Sequence, residues 1–493
     1  MTLRLGVMRG ALTLAGGNMA ANILAALALL ALARLLTPED FGIVAIAAAI
    51  LSIVQACTEL SLNNALIQKE EVDRTHIDTA WTMALIRSGV ICGIFAISAW
   101  PLSIIYGNDN LILVFLVSGL GGAVLGLHNP KVWLETKQMA FRPLVVVQFL
   151  RRALGIILSV VLAVFLHSYW AIILGTFIGA VASSTISYLL VPYRPRLSLE
   201  HVREIWSFSG WMFLSQMFET LNWRIDQLII GLAVPKGQLG IYAMADNLAV
   251  IPTRETIYPI RYALFPGLAT ISRDHERLRR SHLRSQSTIA LLIAPLGVGL
   301  ALVAEPVVAL TLGSQWTDAV PYVQIFSIVY MLSVFSIGLQ PVAMSLNRTK
   351  VLFWRQSIAF LVKVPVIVTG LLTGGLLGAA LGRLLADAAS ALIELFFLKR
   401  LLGIAITTQI AHHALTIAAL IAMAVAVSFV GRFVPHGDTP LLLELGVEIG
   451  TGAIVYTAVI GGTWLAMARP DGPVKILLDA LAHLRSRKAA SAT

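Results

Sequence analysis

The sequence predicts an all-α integral membrane protein of about fourteen transmembrane helices, built as two pseudo-symmetric six-helix lobes with two further helices after them. Three observations predict it: an extreme composition, apolar runs of spanning length that recur along the chain, and a lopsided placement of positive charge. Of 493 residues, 58% are hydrophobic and 13% charged. The mean hydropathy of +0.83 lies far outside the range of soluble domains. A spanning helix needs about 20 mostly apolar residues, because hydrocarbon tolerates only a backbone whose hydrogen bonds are closed internally.

Apolar runs between polar punctuation place helices near 11–35, 41–66, 80–105, 110–130, 143–166 and 169–191. A second set falls near 207–234, 239–268, 286–312, 319–346, 351–373 and 376–398, and a last pair near 409–432 and 441–467. With the N-terminus inside, cytoplasmic segments retain about 25 of the Lys and Arg residues, among them Arg273, Arg277, Arg279, Arg280 and Arg284 in one loop. The opposite loops hold about three: Arg34, Lys236 and Arg432. One missed helix would invert every later loop, so this asymmetry supports the count and predicts that both termini lie in the cytoplasm. The polar, basic tail 469–493 carries Val474, Leu477, Leu478, Leu481 and Leu484 at helical spacing, which fits a short amphipathic helix on the membrane surface.

Several functions are disfavoured. The net charge of +10 lies in short gaps and forms no continuous basic face, which argues against nucleic acid as a partner. Cys57 and Cys92 sit in apolar runs and suggest neither a disulfide framework nor a metal site. Outer loops such as Tyr106–Asp109, His167–Ser168 and Pro235–Gln238 are too short for a catalytic ectodomain, and no G-x-x-x-x-G-K-[ST] loop is present. No catalytic residue is assigned, and the chain reads as a transporter and not an enzyme.

An internal repeat supports this. LTPEDFGIVA (Leu36–Ala45) answers VPKGQLGIYA (Val234–Ala243), AWPLSIIYG (Ala99–Gly107) answers AEPVVALTLG (Ala304–Gly313), and GLHNP (Gly126–Pro130) answers GLQP (Gly338–Pro341). The offset stays near 200 residues, across an even number of helices, so the copies run parallel. The expected organisation is an N-lobe at 1–200, a C-lobe at 201–400, helices thirteen and fourteen within 401–468, and the tail. Two such lobes are expected to enclose a midmembrane cavity opened to either side in turn.

A charge at the centre of a spanning helix costs about 2.5–3.5 kcal/mol on insertion scales, so it needs a partner or a wet cavity. On the eighth predicted helix Asn247, Arg254, Tyr258 and Arg261 follow i, i+7, i+11 and i+14, one face of a continuous helix. Glu219, Asn222, Trp223 and Asp226 share a face of the seventh, with Arg224 beside them. Gln55, Glu59 and Asn63 form a stripe on the second, and Asn18 and Asn22 lie on the first. Aligning GLHNP with GLQP sets Arg151 opposite Lys363, so Arg151 and Arg152 also fall within lipid depth. Arg383, Asp387 and Glu394 are expected to pair structurally, and Arg87 to snorkel. An arginine-lined cavity suits a phosphorylated ligand. The candidate cavity set is therefore Arg254, Arg261, Tyr258, Asn247, Arg224, Lys363, Arg151, Arg152, Asn18, Asn22, Gln55, Asn63 and Trp223. Glu59, Glu219 and Asp226 are candidates for binding a driving proton or sodium ion, or for neutralising an arginine, and no cofactor or metal is expected.

The segments ARLLTPEDFGIVAIA, WRIDQLIIGLAVPKGQLGIYAMADNL and PIRYALFPGLATI resemble the polysaccharide transporters, the Wzx-type flippases of the multidrug/oligosaccharidyl-lipid/polysaccharide (MOP) exporter superfamily. The resemblance covers roughly residues 5–400. It implies a two-lobed flippase that moves a polyprenyl-diphosphate-linked oligosaccharide to the outer leaflet for exopolysaccharide, capsule or O-antigen export. Membrane lipids and the polymerase or export machinery of the same pathway would be its partners. The alternatives are a cation-coupled drug or metabolite exporter, which a surplus of buried arginine disfavours, and a lipid II flippase. A general cavity role carries over to Arg254 and Arg261.

Overall fold

The computed structural model describes residues 2–59, 72–137, 140, 142–202, 210–253, 267–335, 337–433, 440–466 and 472–475, and all regular structure among them is helical. The principal helices are α1 (Thr2–Leu35), α2 (Pro38–Cys57), α3 (Arg74–Ile105), α4 (Asn110–Gly126), α5 (Arg142–Leu166) and α6 (Trp170–Leu190). There follow α7 (Gly210–Ala233), α8 (Lys236–Val250), α9 (His275–Leu302), α10 (Val320–Val334), α11 (Lys350–Leu402), α12 (Ala414–Gly431) and α13 (Leu441–Ala466). Among the described residues nine helices are long and apolar enough to cross a membrane, or ten when Asn110–Gly126 and the bent continuation Lys131–Lys137 count as one span. The protein is thus a multi-pass helical membrane protein. α11 holds two arms, because Gly374 and Gly375 leave helical geometry. Gly375 takes φ +60°, ψ −145°, a conformation reserved for residues without a Cβ.

The chain forms two compact units, Met1–Ala243 and Met244–Thr493. In the first, α1 packs on α5, α5 on α6, α3 on α4, and α2 on α7. Small residues let α5 and α6 approach closely: a Cβ on Gly179 would stand 2.9 Å from the Arg151 carbonyl oxygen. In the second, α9 packs on α10 and α12, α10 on α11, and α12 on α13. Leu291, Ala294, Met423, Val427 and Ile460 form its apolar centre. There the Tyr456 hydroxyl donates to the Leu291 carbonyl at 2.7 Å.

Local chemistry explains where helices begin and end. Thr37 caps α2, its Oγ1 accepting from the Asp40 N–H while Asp40 Oδ2 accepts from the Thr37 N–H, with Pro38 in the first turn. The compared repeat segments differ in local structure: Ala99–Ile105 is the continuous end of α3, whereas Ala304–Thr311 is a short helix of its own. Gly107 and Gly313 end their copies at φ +61° and +100°. GLHNP starts on the last residue of α4 and precedes Lys131–Lys137, whereas GLQP opens the short helix Leu339–Ser345, with Gly338 as its N-cap. A further pair appears in Asp73 and Asp274, whose side chains cap α3 and α9 by accepting from His76 N and Arg277 N. The first repeat pair also meets in space. A Cβ on Gly42 would lie 2.0 Å from the Lys236 carbonyl oxygen, and one on Gly240 would lie 1.7 Å from the Pro38 carbonyl oxygen. Backbone touches backbone there, so both positions require glycine.

Two expected helices are shorter than expected. α2 ends at Cys57 because its last carbonyls find other donors: Thr58 Oγ1 returns to the Val54 carbonyl at 2.8 Å, and Arg87 Nη2 reaches the Gln55 carbonyl at 3.0 Å. α8 ends at Val250 and residues 251–253 form a turn. Pro252 has no N–H to continue the helix. The i, i+7, i+11, i+14 face drawn from Asn247 through Arg254, Tyr258 and Arg261 lies outside the described residues beyond Asn247. The span expected at 286–312 likewise breaks at Val303 into α9 and the short Ala304–Thr311.

Candidate functional site

Several expected residues lie outside the described set: Asn63, Arg254, Tyr258 and Arg261, the side chain of Asn18, and nearly all of the amphipathic tail. Among the rest, the structure brings Asn22 and Arg152 together. Arg152 Nη1 donates to Asn22 Oδ1 at 2.6 Å. A small pocket between α1 and α5 is lined by Gly17, Ala21, Val145, Gln148, Phe149 and Arg152. Gly17 is needed there, since a Cβ would meet Val145 Cγ1 at 2.5 Å. Arg152 stands about 15 Å along α5 from its first residue, near the helix midpoint. It is exposed, and the group it bonds is a neutral amide. A mid-helix guanidinium kept ionised without a carboxylate needs water or an anion in front of it. Arg151, its neighbour, faces a different direction and is half-buried.

The other candidates of this unit have protein partners. Glu59 pairs with Arg87 at 2.8 Å, beside the end of α2, and Gln55 supplies the carbonyl that Arg87 also holds. Asp226 is fully buried; it accepts from the Tyr242 hydroxyl at 2.8 Å and from the Gln227 N–H at 2.9 Å. Arg224 stacks over the Trp223 ring at 4.7 Å and donates to Gln227 Oε1 at 3.3 Å. Glu219 is half-buried on the same helix.

In the second unit the charges are joined to one another. Arg383, 2% exposed, contacts Asp246 at 2.8 Å and Asp387 at 3.6 Å, and lies over the Phe326 ring at 4.6 Å. The Tyr330 hydroxyl donates to Asp246 at 2.6 Å. Lys363 reaches Asp387 at 3.4 Å, and Arg355 pairs with Glu394 at 2.8 Å. Lys363 is thus buried within this network, while Asn247 is exposed. Sequence reasoning overlooked Asp246 and Tyr330. The signal for Asp246 was its place on the stripe Leu239, Tyr242, Ala243, Asp246, which is the buried face of α8, whereas Asn247 projects from another.

Helices long and apolar enough to cross a membrane repeatedly define a multi-pass helical membrane protein. The chain superposes on a solved structure titled "Lipid II flippase MurJ, inward closed conformation" with a TM-score of 0.72, at 15% identity over 92% of this chain and 99% of that one. It also superposes on an inward-facing multidrug resistance MATE family transporter of the MOP superfamily, with a TM-score of 0.66 over 80% and 98% at 14% identity. The chain belongs to the polysaccharide biosynthesis protein family, whose profile matches residues 31–321. Among curated relatives, the succinoglycan biosynthesis transport protein ExoT of Rhizobium meliloti (strain 1021) is 25% identical over 94% of this chain and 92% of its own length. The lipopolysaccharide biosynthesis protein WzxC of Escherichia coli (strain K12) is 24% identical over 76% and 77%.

Proposed function

We propose that this protein is a flippase that carries a polyprenyl-diphosphate-linked oligosaccharide from the cytoplasmic to the outer leaflet of the bacterial inner membrane, by alternating access. The observation that carries the reading is Arg152: a cation at mid-helix depth, exposed, and held by the neutral Asn22. Guanidinium matches diphosphate oxygens through paired donors, and charge-assisted bonds of this kind are stronger than neutral ones. Family membership and the transport proteins among the relatives support a sugar-polymer pathway. A drug exporter, many of whose ligands are cations, would be served by an exposed carboxylate in this position, so that reading is weaker.

Arg254, Arg261 and Tyr258 belong to the proposed anion path on the strength of their sequence alone, and residues 1–200 and 201–400 are the proposed duplicated lobes. Both termini are placed in the cytoplasm by the charge asymmetry. Asp226 is the proposed coupling residue for a proton or sodium ion, since Glu59 already neutralises Arg87. The polymerase and export machinery of the same pathway are proposed partners.

The test is a flipping assay on proteoliposomes with a defined polyprenyl-diphosphate-linked oligosaccharide. Arg152→Ala is expected to reduce flipping by at least tenfold while its thermal midpoint in detergent stays within a few degrees of wild type. Undiminished flipping by the variant would remove Arg152 from the substrate path.

A further inference from the structure

A second polar cluster lies away from Arg152, where segment 191–202 crosses the start of α3. The segment has almost no regular structure of its own and takes its bonds from one stripe of that helix. Arg74 Nη2 donates to the Arg194 carbonyl at 3.3 Å, the Tyr193 hydroxyl to Asp78 Oδ1 at 2.6 Å, and Ser198 N to Thr82 Oγ1 at 3.0 Å. At the end of this strap the His201 ring stacks on the His76 ring, centroids 3.6 Å apart and planes 11° from parallel.

We propose that Asp73, His76 and His201 form a zinc site that bolts this strap to α3. The three residues offer ligand atoms that all lie within 4.8 Å of one another. His76 Nδ1 is in direct hydrogen-bond contact with Asp73 Oδ1. That same oxygen accepts from Thr75 Oγ1 at 2.8 Å, and Thr75 Oγ1 lies 3.0 Å from His201 Nε2. Hydrogens therefore bridge three convergent donor atoms where a cation could replace them. Two imidazoles and a carboxylate with a fourth, open position make an accepted zinc set, with bonds of about 2.0–2.2 Å. Bonds of that length require the ligand atoms to adjust slightly, and His201 is half-exposed at the end of the strap. Asp73 is exposed, and its Oδ1 also accepts from the His76 backbone N–H at 2.9 Å, which holds the carboxylate against the two rings. Arg74, next to Asp73 in the chain, is engaged a turn further on by Asp78 at 3.7 Å. Residues 125 positions apart in the chain are thereby joined, which no sequence motif would reveal.

The test uses the full chain, purified in detergent, stripped with EDTA and titrated with Zn²⁺ by equilibrium dialysis. One ion per chain at micromolar affinity is expected, weakened at least tenfold by His76→Ala and by His201→Ala and unchanged by His412→Ala, an exposed histidine elsewhere. Zinc is also expected to slow tryptic cleavage after Arg196, in the exposed strap, for wild type but not for His201→Ala. Failure to retain zinc, or equal binding by both cluster variants, would reduce the trio to a hydrogen-bonded clasp and overturn the assignment; neither result bears on flipping.

Discussion

Arg383 and Arg152 both sit within membrane-spanning helices, yet the two units treat them differently. In Met244–Thr493, Arg383 is enclosed by Asp246, Asp387, Tyr330 and an aromatic ring, Lys363 shares Asp387 with it, and Arg355 pairs with Glu394. In Met1–Ala243, Arg152 is exposed beside an amide that cannot cancel its charge. A closed network fixes how helices pack and leaves little for a ligand. A guanidinium opposite a neutral acceptor keeps its charge for something that arrives from outside. The difference teaches that the count of intramembrane arginines says less about function than the chemistry of each one's partner.

Three substitutions probe this contrast, taken from the largest expected effect downward. Arg383→Ala leaves Asp246 and Asp387 buried without their cation, and removing one partner of a buried pair costs about 3–5 kcal/mol. Thermal unfolding in detergent should show a large drop in midpoint; a small one would mean that the network is wet and replaceable. Gly240→Ala forces a methyl onto the Pro38 carbonyl oxygen and should destabilise by about 1–3 kcal/mol, the range for overpacking. If it folds as well as wild type, the crossing at Gly42 and Gly240 is not a fixed contact of the first unit. Asn22→Asp gives Arg152 the carboxylate that the second unit's arginines already have. Stability should change by about 1 kcal/mol or less, while flipping falls severalfold because the cation is now neutralised. Retained flipping with that variant would break the comparison outright.

Much of the fold was legible in the chain. Spanning segments announce themselves because every lipid-facing position must be apolar, so α5, α6, α12 and α13 fall within a few residues of where hydropathy puts them. Helix ends were less legible where they depend on partners from elsewhere. Arg87 reaches across from α3 to satisfy the end of α2. Pro252 was visible, but a long apolar run outweighed it in the reading of α8. The site was legible only in part. Asn22 and Arg152 were both singled out, but nothing in their spacing pairs them, since they lie on different helices brought together by the packing of α1 on α5. Asp246 was passed over for its neighbour Asn247, which a helical repeat sends to another face.

Composition and periodicity by themselves determined that this chain is helical and crosses a membrane many times, because the solvent acts on each segment separately and leaves its mark within about 20 residues. The i, i+4 contact of Arg383 with Asp387 was legible in the spacing, but which charge meets a partner far along the chain was decided by tertiary structure. Arg383 joins Asp246 and Arg152 joins Asn22 across more than a hundred residues of chain, and electrostatic contact falls off over a few ångströms of space without regard to distance along the sequence.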